Sequence, residues 1–377
     1  MTSQTLSRVF RDGARRRGRA PMFRQKHRGV WKTCTSTEAG EIVADVAAGL
    51  LASGLRPGDV VLILSRATLT SACADLGARA AGGVTGRLYL NMPADKVAAA
   101  LARSRAAWLF VDDPDRLDEL ANCVRGLKGV FVLEGETAPG ARFADLRAAG
   151  AAARVRDPGL VEAACERQAP GDVALLAMAL DDPGAWTALT HAQALACAHA
   201  LATLAPARGE RLALGSLAAI GERMAHLELA ILTGATVNFP EDDDTWREDL
   251  REIQPELVCG PPELWRRLRE DMLSRLEAAT PFERWVFERA HAAGRRGPLA
   301  GAAMLKARAE MGLNRLKLGL CCPEPLSPNV LQWHRRCGVA LRDDWRPAAS
   351  AGGALVGDEP AGHARSVEGG RSTQDGW

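Results

Sequence analysis

The 377 residues carry 48 Lys and Arg against 46 Asp and Glu, a net charge of +2, with 47% hydrophobic residues and nine cysteines. That length can bury a large core in one or two joined domains, and the near-zero charge gives no electrostatic reason to expect a nucleic-acid partner. No apolar run approaches a membrane span, no leader-like apolar stretch opens the chain, and the cysteines show neither a C-x-x-C pair nor zinc spacing, which points to reduced thiols in a cytoplasmic protein.

Residues 8–28 concentrate arginines with Lys26, interrupted by Phe10 and Phe23. The pattern predicts a solvated first helix and loop, with contact to anionic lipid headgroups as the sharper alternative. Thr35 and Glu38 have the spacing of a capping box, and apolar residues at helical spacing follow as far as Gly54. Beyond Pro57-Gly58-Asp59, strands are predicted over 60–64, near 84–88, over 108–111 and over 130–133. Helices over 69–81 and 93–103 separate the first three. Residues 148–170 read as a connection. The run 171–191 reads as strand 173–178, a turn at Asp181–Gly184, and a helix leaving Thr190.

Strands near 212–216, at 236–239, 256–259, 316–321 and 339–342 alternate with helices at 220–232, from Pro262, and at 328–336. The acidic run 241–244 suits a helix start, and helices at 282–295 and 300–311 form an excursion. Short apolar strands alternating with helices indicate mostly parallel sheets covered on both faces. Seven glycines and two prolines in residues 346–377 suggest a flexible tail. His191 and His199 read as cap and surface residues, and Cys321-Cys322 as a pair packed at a strand end. There is no G-x-G-x-x-G, Walker lysine loop or G-x-S-x-G elbow.

The wording of these segments resembles long-chain acyl-CoA synthetases of the adenylate-forming, AMP-binding superfamily. The similarity lies in "AAGLLASGLRPGDVVLILS" (47–65), "GGVTGRLYLNMPADKVAAAL" (82–101), "LFVDDPDRLDEL" (109–120), "LTHAQALACAHAL" (189–201), "ERMAHLELAILTGATVNF" (222–239), "LWRRLRE" (264–270) and "PLSPNVLQWHRRCGVAL" (325–341). The resemblance implies a layered α/β/α N-terminal domain with two mostly parallel sheet subdomains, at 1–170 and 171–345, a flexible tail at 346–377, and no C-terminal domain. In that family an acid is activated with ATP and Mg2+ to an acyl-adenylate and then passed to coenzyme A.

Several of the family's motifs are altered. Its phosphate loop reads roughly Tyr-Thr-Ser-Gly-Thr-Thr-Gly-x-Pro-Lys-Gly. Here the turn is shorter, its hydroxyls before the proline are gone, and no lysine stands between Lys128 and Lys306. Asp181 and Asp182 occupy places where phosphate would sit, and a charge pair about 4 Å apart is worth on the order of 4 kcal/mol at an effective dielectric of 20. The resemblance leaves Asp181, Asp182, Gly184, Thr187 and Trp345 as a vestigial nucleotide site. Ala348 and Ala349 replace the Thr-Glu motif. In the family's Leu-Pro-Leu-Ala-His-x-x-Glu-Arg segment the histidine is Ala219, and Glu222 and Arg223 remain as substrate-site residues.

The implied protein is a truncated, catalytically inactive relative with no catalytic residues, bound metal or cofactor of its own. It would retain the binding of a long-chain fatty acid or acyl group, or of an intact paralogue. It would be cytoplasmic, with peripheral contact at the inner membrane surface allowed. The alternative is a long-chain fatty acid–CoA ligase component whose C-terminal domain is supplied in trans.

Overall fold

The computed structural model describes residues 4–112, 114–134, 141–178, 185–204, 208–242, 244–293 and 297–345. Helix α1 (Leu6–Arg17) is capped by Thr5, whose hydroxyl accepts the Arg8 amide. Instead of the expected loop, a hairpin follows, β1 (Pro21–His27) and β2 (Val30–Thr35), antiparallel across Arg28-Gly29. Both turn residues have positive φ, 51° and 74°, which matches the twist of a two-residue hairpin. Their amides donate to the Glu241 carboxylate at 2.5 and 2.9 Å. The acidic run therefore closes a hairpin as well as preceding a helix.

The basic stretch turns largely inward on this chain. Arg8 and Arg11 pair with Glu166 and Arg15 with Glu162. Arg24 pairs with Glu210, and the buried Lys26 reaches Asp249 at 2.7 Å and Glu252 at 2.8 Å. Those cations are engaged by carboxylates of the fold.

Helix α2 (Ser36–Ala52) opens on the predicted capping box, with Thr35 and Glu38 each bonding the other's amide. Then come β3 (Val60–Leu64), α3 (Leu69–Ala80), β4 (Val84–Arg87), α4 (Ala94–Ser104), β5 (Ala106–Val111), α5 (Pro114–Glu119), β6 (Gly129–Val132) and β7 (Ala141–Arg142). The stretch expected to be a connection forms two helices, α6 (Phe143–Arg156) and α7 (Leu160–Arg167).

Helix α6 lies directly on α2. A methyl group at Gly49 would come within 2.3 Å of the Leu146 carbonyl oxygen, and one at Gly150 within 1.8 Å of that of Asp45. Only glycine allows backbones this close. Gly150→Ala is expected to destabilise the protein by about 3 kcal/mol, the upper range for overpacking. A urea midpoint shift at unchanged slope is the readout, and an unshifted midpoint would refute the crossing.

The chain continues through β8 (Val173–Met178), β9 (Trp186–Thr190), α8 (His191–Leu204), β10 (Glu210–Leu212) and α9 (Ile220–Arg223). One π-helical turn (Met224–Glu228) joins α9 to α10 (Leu229–Thr233). The remainder is β11 (Thr236–Phe239), α11 (Trp246–Ile253), β12 (Leu257–Gly260), α12 (Pro262–Glu277), α13 (Pro281–Ala293), α14 (Pro298–Glu310), β13 (Leu318–Cys321), α15 (Pro328–Arg336) and β14 (Leu341–Arg342).

Two seven-stranded sheets result, ordered β7-β6-β5-β3-β4-β8-β9 and β14-β13-β12-β10-β11-β1-β2. Each is parallel apart from its last strand, β9 or β2, which returns antiparallel as an edge. Sheet membership does not change at residue 170. Strand β8 pairs with β4 (Thr85 opposite Leu175), so β8 and β9 complete the first sheet, while β1 joins β11 in the second. Periodicity reveals a strand but not its neighbour. The expected tail, 346–377, lies outside the described residues. No helix among the described residues is long and apolar enough to cross a membrane.

Candidate active-site cavity

A cavity of about 700 Å³ opens where the carboxyl ends of β4, β10, β12 and β13 converge. The segment after β4 supplies Tyr89 through Pro93, and the one after β10 supplies Leu214, Gly215 and Ser216. Pro261, Pro262 and Leu264 come from the turn into α12, Pro323 and Glu324 follow β13, and Trp246 begins α11. The crevice beyond the carboxyl ends of parallel strands is where open α/β sheets place ligands.

Glu222 of α9 lines this cavity and is only 8% exposed. Burial pushes its carboxyl up to about 8. Burial also pushes the Tyr89 phenol up to about 12, with Glu222, Cys322 and Glu324 adding to the rise. Arg267 at the rim pairs with Glu263 at 2.5 Å. Lys96 is exposed at the same rim.

Arg223 follows Glu222 in the chain but does not line the cavity. Its guanidinium donates to Asp75 at 2.6 Å and to the Thr85 hydroxyl at 2.6 Å, and its Nε lies 3.4 Å from Glu228. Asp75 also meets Arg79 at 3.2 Å and Arg87 at 3.6 Å, and Arg79 reaches Glu228 at 2.9 Å. All five side chains are no more than 2% exposed. Burial raises the Asp75 carboxyl's pKa, and Arg223, Arg79 and Arg87 together outweigh it, holding the group ionised. The cluster joins α3 and β4 of the first sheet's layer to the α9 region of the second. The structure thus separates the sequence's Glu-Arg pair into one cavity residue and one structural residue.

Of the other expected site residues, Asp181, Asp182 and Gly184 lie outside the described residues. Thr187 sits exposed on edge strand β9, opposite Ala177. Trp345 is 2% exposed, and a methyl group at Gly221 would lie 2.9 Å from its ring. It belongs to a buried cluster with Met224, Leu257 and Leu320, a core side chain. His199 is exposed, while His191, at the start of α8, is 4% exposed and its Nδ1 accepts the Leu6 amide at 3.2 Å. Cys321 and Cys322 are buried, and the Cys322 sulfur lies 3.2 Å from that of Cys259. Among the described residues no three His, Cys, Asp or Glu side chains gather at metal-binding distance.

Sequence reasoning passed over Tyr89 and Trp246 at the cavity and Asp75 beneath it. The available signals were the chain's single tyrosine and an Asp–Arg pair, Asp75 and Arg79, inside an otherwise small and apolar helix.

The fold is shared with solved structures. The A-PCP didomain of carboxylic acid reductase from Segniliparus rugosus, in complex with AMP, superposes with a TM-score of 0.66 at 15% identity, over 90% of this chain and 52% of that one. The N-terminal domain of FACL13 from Mycobacterium tuberculosis gives 0.65 at 13% identity, over 90% of this chain and 74% of that one. A long-chain-fatty-acid–CoA ligase, FadD1 of Archaeoglobus fulgidus, gives 0.65 at 14% identity, over 88% and 60%. The fold is therefore that of the N-terminal domain of adenylate-forming enzymes.

Sequence comparison narrows the class. Residues 10–177 match the AMP-binding enzyme family. The chain is also similar to the long-chain-fatty-acid–CoA ligase FadD15 of Mycobacterium bovis, 32% identical over 143 residues. The match spans 34% of this chain and 24% of the relative, about a quarter of its length.

Proposed function

We propose that this protein binds an acyl or similar apolar chain in the cavity between its sheets and does not ligate it to coenzyme A. The cavity itself carries the reading. Its volume, about 700 Å³, falls among small-molecule sites, which run roughly 300–1,000 Å³, and Leu214, Leu264, Trp246, Met92 and four prolines give it apolar walls.

The loss of chemistry is read from the sequence. ATP activation needs donors and a cation around the phosphates. The segment following residue 178 carries Asp181 and Asp182 with no lysine, and Ala348-Ala349 stand where the family has Thr-Glu. Two carboxylates repel a triphosphate, each by several kcal/mol at close range in a partly dry site.

The test is a paired measurement on the full chain. A fluorescent long-chain fatty acyl probe should bind with saturable affinity. Incubation with a long-chain fatty acid, Mg-ATP and coenzyme A should give no acyl-CoA above the protein-free control. ATP-dependent acyl-CoA would overturn the non-ligating part, and absence of probe binding would overturn the cavity part.

A further inference from the structure

We propose that the cavity receives the polar end of its ligand as a protonated amine, set against Glu222 and the ring of Tyr89. This rests on the reading of the cavity as a binding site and names the chemistry of its polar end. The starting observation is a carboxyl group that nothing in the protein satisfies. Glu222 is 8% exposed and lines the cavity. Among the described residues it has neither a hydrogen-bond donor nor a cation within ion-pair distance, whereas Asp75, Asp249 and Glu228 are paired with cations. A buried carboxyl without a partner is costly, and an ammonium ligand supplies both the charge and the N–H donors it lacks.

The surroundings favour a cation over an anion. Glu222 acts on the Tyr89 phenol and the Cys259 thiol, and Tyr89 in turn faces the Cys322 thiol and Glu324, which shares the cavity wall. None of them brings positive charge. Arg223, its neighbour in the chain, is held by Asp75 and Glu228, and Arg267 is held by Glu263. Lys96 remains exposed at the rim. Tyr89 is half-buried on the cavity wall, and an aromatic ring beside a carboxylate is a recurrent pairing for ammonium groups. A carboxylate ligand would meet Glu222 and Glu324 instead. The raised Tyr89 phenol, with Glu222 and Glu324 among its causes, reports the same negative field.

The step is a proton exchange that balances without a co-reactant. Glu222 with a pKa of about 8 is roughly nine-tenths protonated at pH 7. Pairing it with an alkylammonium therefore ionises the carboxyl and releases about 0.9 proton to the buffer.

The experiment is isothermal titration calorimetry of the full chain at pH 7 with octylamine, octan-1-ol and octanoate. Each is kept below its micellar range and run in phosphate and in Tris, whose ionisation heats differ. We expect octylamine to bind on the order of tenfold or more tighter than octan-1-ol, with a buffer-dependent heat equal to release of about one proton. In Glu222→Gln the amine advantage and the proton release should vanish, while octan-1-ol binding stays within about twofold. The wild-type proton count stands by itself if that variant fails to fold. Octan-1-ol or octanoate binding as tightly as octylamine, or amine binding without proton release, overturns the assignment of the polar end and leaves the apolar cavity standing. Failure of all three ligands to bind overturns both.

Discussion

Asp75→Asn is expected to lower stability by about 4 kcal/mol, because breaking a buried ion pair leaves charge stranded away from water. The wild-type cluster sets Arg79, Arg87 and Arg223 against Asp75 and Glu228. Its excess positive charge is spread by neutral acceptors: Arg87 donates to the Ser216 carbonyl at 2.6 Å and to the Ser71 hydroxyl at 3.0 Å. Asparagine keeps the shape of the side chain and removes its charge, leaving three guanidinium groups to share one carboxylate.

Arg87 is the member least favoured as a cation. Burial brings its pKa down to about 10, with Arg223 lowering it further against the pull of Asp75. Arg87→Gln in the Asp75→Asn background should therefore recover part of the loss, as expected for groups in one network. Urea midpoints for the two single variants and the double variant check this, and simple additivity would refute the coupling. Because the cluster joins elements of both layers, the loss should appear as cooperative unfolding of the whole protein.

Acidification should have the larger cumulative effect. His191, His226 and His334 are each pushed down to about 4, in every case mainly by burial. The His226 Nε2 donates to the Cys259 carbonyl at 2.9 Å and the His334 Nε2 to the Trp265 carbonyl at 2.8 Å, while the His191 Nδ1 accepts the Leu6 amide. All three rings are held neutral. Their folded pKa values lie below the ordinary 6.5, so the unfolded chain takes up protons first as pH falls. Their stabilising contribution is full above pH 6.5 and is lost between 6.5 and 4. At 1.36 kcal/mol per unit, each contributes about 3 kcal/mol. Together that is comparable to the roughly 5–15 kcal/mol stability of a whole domain.

Glu222 works in the opposite direction. Its folded pKa of about 8 lies above the usual 4.5, so its contribution is full below pH 4.5 and is lost as pH rises through 8. Three histidines outweigh one carboxyl on the acid side. Maximum stability is therefore expected near pH 7, with a steep fall below it and a gentle one of less than about 1 kcal/mol towards pH 8. Urea midpoints across pH 4.5–8 test the shape. Glu222→Gln should flatten the alkaline limb and steepen the acid one, and a flat acid limb in the wild type would refute the buried neutral histidines.

Elements whose signals are local were legible in advance. Strands β3, β8 and β11 are short apolar runs bounded by turns, and they lie where the pattern placed them. The Thr35 capping box and helix α15, begun by Pro328, are set by residues within one turn of each other. Strands β1 and β2 were not legible, because an edge hairpin alternates Phe23 and Cys34 with charged and polar residues and shows no apolar run. Strand β9 was hidden for the same reason, with Thr187 and Ala188 facing solvent. Helices α6 and α7 are rich in alanine and arginine. Their helicity is expressed through packing on α2, where Gly49 and Gly150 allow contact.

The sequence by itself determined the alternation of strands and helices, and the presence of Glu222 and Arg223 side by side. Only the tertiary structure decided what those two residues do. Successive helical residues point about 100° apart, so adjacent side chains enter different surroundings. Arg223 is drawn into the charges of Asp75 and Glu228, which lie far from it or on a later helical turn. Glu222 faces the space left where four strand ends meet. Which strands meet there depends on sheet order, and sheet order is fixed by long-range pairing, such as β4 with β8 and β1 with β11, that no local pattern encodes.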